Sequence, residues 1–163
     1  MNRHVTGVIV GLIFTLASVA SVSAQVQKVT ARTTGISCGS CAAVGEIQLR
    51  RKVVGLDKLT ISMSQEAITV YYKPDGLFQP QIFRDIFKPL NVGILKLEIS
   101  ARGRVQVEGT KRTFVSGKDQ FVVMDDELGA KMPVGVPILI EGIVDDKVSP
   151  MHVKVTTFKP VAP

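Results

Sequence analysis

The chain has 163 residues, a formal net charge of +6 and only two cysteines. That length suits one ordinary domain or two small ones. The positive charge is spread along the chain, with Arg50-Arg51-Lys52 its nearest approach to a cluster, so it reads as solvated surface. Two cysteines exclude a disulfide framework, and the absence of a Ser/His/Asp set, a phosphate loop or paired carboxylates argues against an enzyme.

In chain order, Arg3 and His4 form a short basic region, Val5 to Val22 is apolar or small, and Val22-Ser23-Ala24 offers small residues for cleavage. Residues 1–24 are therefore expected to be a secretory signal peptide, with an uncleaved anchor as the alternative. Cleavage would leave no membrane span and place the protein in the periplasm or another extracytoplasmic, oxidising compartment. Gln27 to Thr34 alternates like a first strand, and Gly35 breaks it. The stretch Gly35-Ile36-Ser37-Cys38-Gly39-Ser40-Cys41 follows. Ala42 to Lys52 is rich in helix formers, with Cys41, Val44, Ile47 and Leu49 as its expected apolar face and Gly45 weakening it by about 1 kcal/mol relative to Ala. Leu56 to Met63 and Ala67 to Tyr72 read as strands, and Lys73-Pro74-Asp75-Gly76 as a turn. Gln79 to Lys88 predicts a second helix, with Ile82, Phe83, Ile86, Phe87 and Leu90 on one stripe. Gly93 to Ile99 predicts a fourth strand. The order β-α-β-β-α-β predicts a ferredoxin-like unit over residues 25–101, a four-stranded antiparallel sheet with both helices on one face.

After Ala101 the texture changes. Short strands are expected over 104–108, 112–116, 120–124, 137–144 and 151–158, punctuated by glycine, proline and Asp145-Asp146, with no convincing helix. Five short strands in residues 102–163 suit a small all-β, OB-like barrel. Its expected core is Val105, Val107, Phe114, Val122, Ile138, Ile140, Val153 and Val155. The fold class expected for the whole chain is thus α+β, a ferredoxin-like domain followed by a separate barrel.

Residues 27–99 resemble a heavy-metal-associated (HMA) domain, the fold of copper chaperones, of copper-ATPase N-terminal modules and of the periplasmic mercury-binding protein. Gly35-Ile36-Ser37-Cys38-Gly39-Ser40-Cys41 is similar to that family's Gly-Met-x-Cys-x-x-Cys. Gly55-Leu56-Asp57-Lys58-Leu59 resembles its second strand opening, and Ile68 to Asp75 its third strand and exit. Ile36 stands where the family usually has Met, and its similar volume should fill the core beneath the loop. The resemblance implies a metal site at Cys38 and Cys41, a partner protein for metal transfer, and an ion that could bridge a homodimer.

Two thiols at this spacing close either on one soft ion or on each other. Two thiolates select Cu(I), with Hg(II), Cd(II) or Zn(II) as competitors, and leave Zn(II) with half its usual ligands. The expected function is an exported metallochaperone, buffer or scavenger. The alternatives are a thiol-disulfide redox protein using the same pair, and an interaction module with an oxidised one. Other features are read as structural. Met151-His152 is taken as strand, Met124 and Met132 as core, and Asp125-Asp126-Glu127 as a solvated turn. Phe114 and Phe121, beside Arg102, Arg104, Lys111, Arg112 and Lys118, are expected to fill the core and not to stack nucleic-acid bases.

Overall fold

The computed structural model describes residues 25–161; the expected signal peptide lies outside them. The elements are β1 (Gln25–Thr34), α1 (Gly39–Lys52), β2 (Leu56–Ser62), β3 (Ala67–Tyr72), α2 (Pro80–Phe87) running into a 3-10 turn (Lys88–Leu90), β4 (Gly93–Glu108), β5 (Lys111–Ser116), β6 (Asp119–Val123), α3 (Glu127–Lys131), β7 (Ile138–Asp145) and β8 (His152–Pro160). All eight strands join one mixed sheet in the order β2-β3-β1-β4-β5-β6-β8-β7. Only the β6–β8 pairing is parallel. A further pairing of β4 with β7 closes β4-β5-β6-β8-β7 into a ring within that sheet.

This corrects the expected division into a ferredoxin-like domain followed by a separate OB-like barrel. Arg102-Gly103-Arg104 reads in sequence as a break, but it lies inside β4, which runs unbroken for 16 residues. Leu97, Ile99, Ala101, Gly103 and Val105 are buried in strict alternation across the expected boundary at 101/102. One pleated strand therefore serves both halves. β1 pairs with residues 93–102 of β4 and β5 with residues 104–108, while β7 pairs with 97–103. At Gly103 the two neighbours meet: a Cβ there would stand 2.2 Å from the Val115 carbonyl oxygen and 2.7 Å from Phe114 Cζ.

One contiguous apolar core runs from Val26 to Val155. The Phe78 and Phe121 rings lie 6.0 Å apart, joining the loop after β3 to β6. Arg84 on α2 donates two hydrogen bonds to Asp146 after β7, Nε to Oδ2 at 2.7 Å and an Nη to Oδ1 at 2.6 Å. The Asp146 side chain is only 5% exposed. Those bonds hold its carboxyl below the usual carboxylate range, the pattern of a charge-assisted, bidentate pair. Asp146, expected only to punctuate the strands, is thus also a tie to α2.

Several side chains depart from the expected pattern. α1 buries Gly45 and Leu49, whereas Val44 and Ile47, assigned to the core, are exposed. The cause is at Gly45, where a Cβ would lie 2.4 Å from Phe87 Cε1. The Phe87 ring occupies the space glycine leaves, so α1 meets α2 through its glycine and turns Val44 and Ile47 outward. On β6 the inward residues are Phe121 and Val123, not Val122, because Phe121 packs on Phe78. Val107 is exposed near the β4–β5 turn. The second half also contains a helix, α3, whose N-cap Asp126 accepts a hydrogen bond from the Gly129 N–H at 2.8 Å. Phe114, Ile138, Ile140, Val153 and Val155 are buried as expected, as are Phe83, Ile86 and Phe87 on the α2 stripe.

The junction holds one strained charge. Asp119 is buried at the start of β6, and burial raises its carboxyl to about 6, partly offset by a hydrogen bond from the Phe78 backbone N–H. Tyr72 beside it is pushed up by burial and then by the Asp119 charge. For an acid whose folded-state pKa is raised, the folded state binds the proton more tightly. Its contribution is therefore full below the ordinary Asp pKa and is lost as pH rises through about 6. Asp119→Asn keeps an acceptor for Phe78 without the charge. It is expected to match the wild type in thermal melts near pH 4 and to exceed it near pH 7.5 by about 1 kcal/mol, roughly 4 °C in Tm. Parallel melting curves across that pH range would refute this assignment.

Candidate metal centre

The loop between β1 and α1 is shaped by short-range chemistry. Gly35 takes a φ of +84°, which glycine adopts without a Cβ penalty. Its N–H donates to Glu66 Oε1 at 3.2 Å, and the Thr33 N–H donates to the Glu66 carbonyl at 2.8 Å. The Ser37 N–H returns to the Gly35 carbonyl at 2.9 Å. Ile36 between them is buried, as its volume led us to expect. The loop is thus anchored from below by Ile36 and from the side by the β2–β3 turn. Cys38 follows as the N-cap of α1 in extended conformation, with Cys41 in the first turn.

The two cysteines are joined as a disulfide, with Cα atoms 5.3 Å apart. Both are half-buried, so the sulfurs sit at the protein surface. Cys38 Sγ accepts a hydrogen bond from the Cys41 N–H at 3.0 Å and lies 3.3 Å from Ser40 Oγ. The sulfur therefore does the work of a capping oxygen, satisfying one of the helix's unpaired N–H groups. The first turn of α1 has no acidic residue, and its last turn carries Arg50, Arg51 and Lys52. The basic end complements the negative pole of the helix, and the positive pole is left to the sulfurs. Once reduced, thiolates there are stabilised by that pole.

The β4 side of the site is a loop at residues 88–93. Asn91, with φ +56°, brings its carbonyl oxygen within 3.0 Å of where a Cβ on Gly35 would be. Lys88 is exposed and lines a cleft of about 370 Å³ with Arg84, Asn91, Val92, Gly93 and Ile94. The supporting roles of Glu66 and Asn91 escaped the sequence reading. Glu66 lies between two predicted strands, and nothing in one sequence ties it to Gly35.

The remaining candidates are placed elsewhere. His152 begins β8, paired with Val122 and Asp145, and the Met151 carbonyl accepts the Val122 N–H at 2.8 Å. His152 is a strand residue, as expected, while Met151 stands just before the strand. Met132 is buried but Met124 is exposed. Phe114 and Phe121 are fully buried, while Arg104 and Arg112 donate to the Gly135 and Met132 carbonyls. Among the described residues, no group of three or more His, Cys, Asp and Glu side chains is arranged to hold a metal ion, and no helix is long and apolar enough to cross a membrane. No protein-family model and no curated protein matches this chain.

Proposed function

We propose that the protein, in its reduced form, carries one soft metal ion on the Cys38 and Cys41 thiolates and passes it to a partner protein. The observation that carries this reading is the position of the two sulfurs. They share the uncrowded, positive end of α1 at the protein surface. No third side chain among the described residues is placed to complete a harder ion's coordination. Two thiolates and no more suit Cu(I), and Hg(II) by the same softness, better than Zn(II). An open site lets an incoming thiolate bind before an outgoing one leaves, which transfer requires. The likeness of Gly35–Cys41 to Gly-Met-x-Cys-x-x-Cys supports the same reading, and an extracytoplasmic location would make it a periplasmic chaperone, buffer or scavenger. Binding follows reduction: an external dithiol exchanges with the disulfide, leaving as its own disulfide and giving Cys38 and Cys41 as thiols, and the ion then displaces the thiol protons.

The disulfide itself favours a second reading, in which Cys38 and Cys41 exchange electrons with substrate thiols. The two are separated by one pair of measurements. Reduced protein titrated with Cu(I) against a chelating competitor is expected to take up one ion per chain, or one shared between two chains, and the oxidised protein none. Reduced protein is expected to turn over insulin disulfides no faster than a Cys38→Ser control. Equal Cu(I) uptake in both redox states would overturn the metal reading, and sustained turnover would put the redox reading first.

A further inference from the structure

We infer that the protein self-associates edge to edge through β2, two copies pairing antiparallel about a two-fold axis at Thr60. Among the eight described strands, β2 alone has one neighbour. β3 and β1 lie between partners, and the β4–β7 pairing closes the other end of the sheet on itself. β8 meets β6 through only two residue pairs, but β2 is unpaired on its outer side along its whole length, and that edge carries a row of backbone N–H and C=O groups that a further strand can satisfy. Natural edges are commonly blunted by charges, prolines or bulges. Here the irregularity and both charges sit at the start of the strand, at Leu56–Lys58, and the run Leu59-Thr60-Ile61-Ser62 has neither charge nor proline.

The choice of a second copy as occupant comes from register. A two-fold axis normal to a sheet keeps each residue on its own face, so the antiparallel pair must centre on a residue. Centring on Lys58 would oppose like charges. Centring on Leu59 would set Asp57 against Ile61 of the second copy. Centring on Thr60 sets threonine against threonine and Lys58 against serine on the open face. On the helix face it sets Leu59 against Ile61 of the second copy, both of which face the core in the monomer. Such a pairing also extends the helix layer. α1, which packs over β2, comes beside its own copy, and its outward Val44 and Ile47 lie one turn apart on the side away from Gly45 and Leu49. Those two exposed apolar side chains then have a surface to meet.

The test is sedimentation velocity of purified protein with reductant and a strong chelator present, so that no metal can bridge chains. A concentration-dependent dimer is expected, with a Kd on the order of 10–100 µM. Thr60 is exposed, so substitution there leaves the fold intact, which a thermal melt verifies. Thr60→Lys and Thr60→Glu each place like charges against each other at the axis and are expected to weaken the dimer at least tenfold. Mixed one to one, they are expected to pair again as a heterodimer. A wild type that stays monomeric at ~1 mM, a Thr60→Lys protein that dimerises as well as the wild type, a mixture that stays monomeric, or a dimer that forms only when Cu(I) is added would each overturn the proposal.

Discussion

Cys38→Ser is expected to lower Cu(I) affinity at least a thousandfold, about 4 kcal/mol, with little change in thermal stability. The affinity loss follows from the proposed ligand set. Serine offers a hard, protonated oxygen where a soft ion needs a thiolate, and the single thiolate left on Cys41 cannot hold the ion alone. The unchanged stability follows from the capping geometry. Cys38 Sγ accepts the Cys41 N–H at 3.0 Å, and a serine hydroxyl at the same N-cap position is among the preferred acceptors. The lost disulfide spans only three residues of sequence, so releasing it frees little chain entropy. Cys38→Ala removes ligand and cap together and should cost about 1 kcal/mol of stability as well. Chelator competition and thermal melts on the two variants check both halves of the claim. A Cys38→Ser protein that holds Cu(I) like the wild type would remove Cys38 from the site.

Gly103→Ala is expected to destabilise the protein by about 3 kcal/mol or more, a severe loss for a chain of this size. The glycine is needed for space, not for an unusual φ. A methyl group at 103 would sit 2.2 Å from the Val115 carbonyl oxygen and 2.9 Å from its carbon. Backbone cannot swing aside as a flexible side chain can, so β5 would have to part from β4. That opens the ring where it joins the rest of the sheet and exposes Phe114, whose ring tip is 2.7 Å from the same point. Gly109, in the β4–β5 turn, provides the control because a Cβ there has open space. Its φ of +60° makes Gly109→Asn a tolerable substitution, expected to cost well under the Gly103 variant. Urea denaturation of both variants measures the difference, and equal midpoints would refute the steric account.

Two ties across the middle of the sheet join its first half to its second. Arg84 and Asp146 are 62 positions apart and meet as a bidentate pair; Phe78 and Phe121 meet ring to ring. Neither pairing leaves a trace in local spacing. An arginine on a helix and an aspartate in a turn each look like ordinary solvated residues when read alone.

What the amino-acid sequence determined by itself is local. Period-2 alternation placed the strands, the 3.6-residue stripe of Phe83, Ile86 and Phe87 placed α2, and Gly35 with Cys38 and Cys41 marked the break between strand and helix. Both cysteines lie at that break, Cys38 as the N-cap and Cys41 in the first turn of α1. These features depend on neighbours within a turn or two of chain. Tertiary structure decided everything that depends on which surface meets which. It carried β4 through residues 102–104, because Ala101 and Gly103 continue the buried alternation beneath partners from three other strands. It turned Val44 and Ile47 outward, because the Phe87 ring fills the hollow that Gly45 leaves. It set Phe121 and not Val122 inward, because Phe78 arrives from a loop more than forty residues away. A residue's apolarity declares that it can be buried; the partner that buries it is supplied by the folded chain, and close packing admits only the side chain that fits the space that partner leaves.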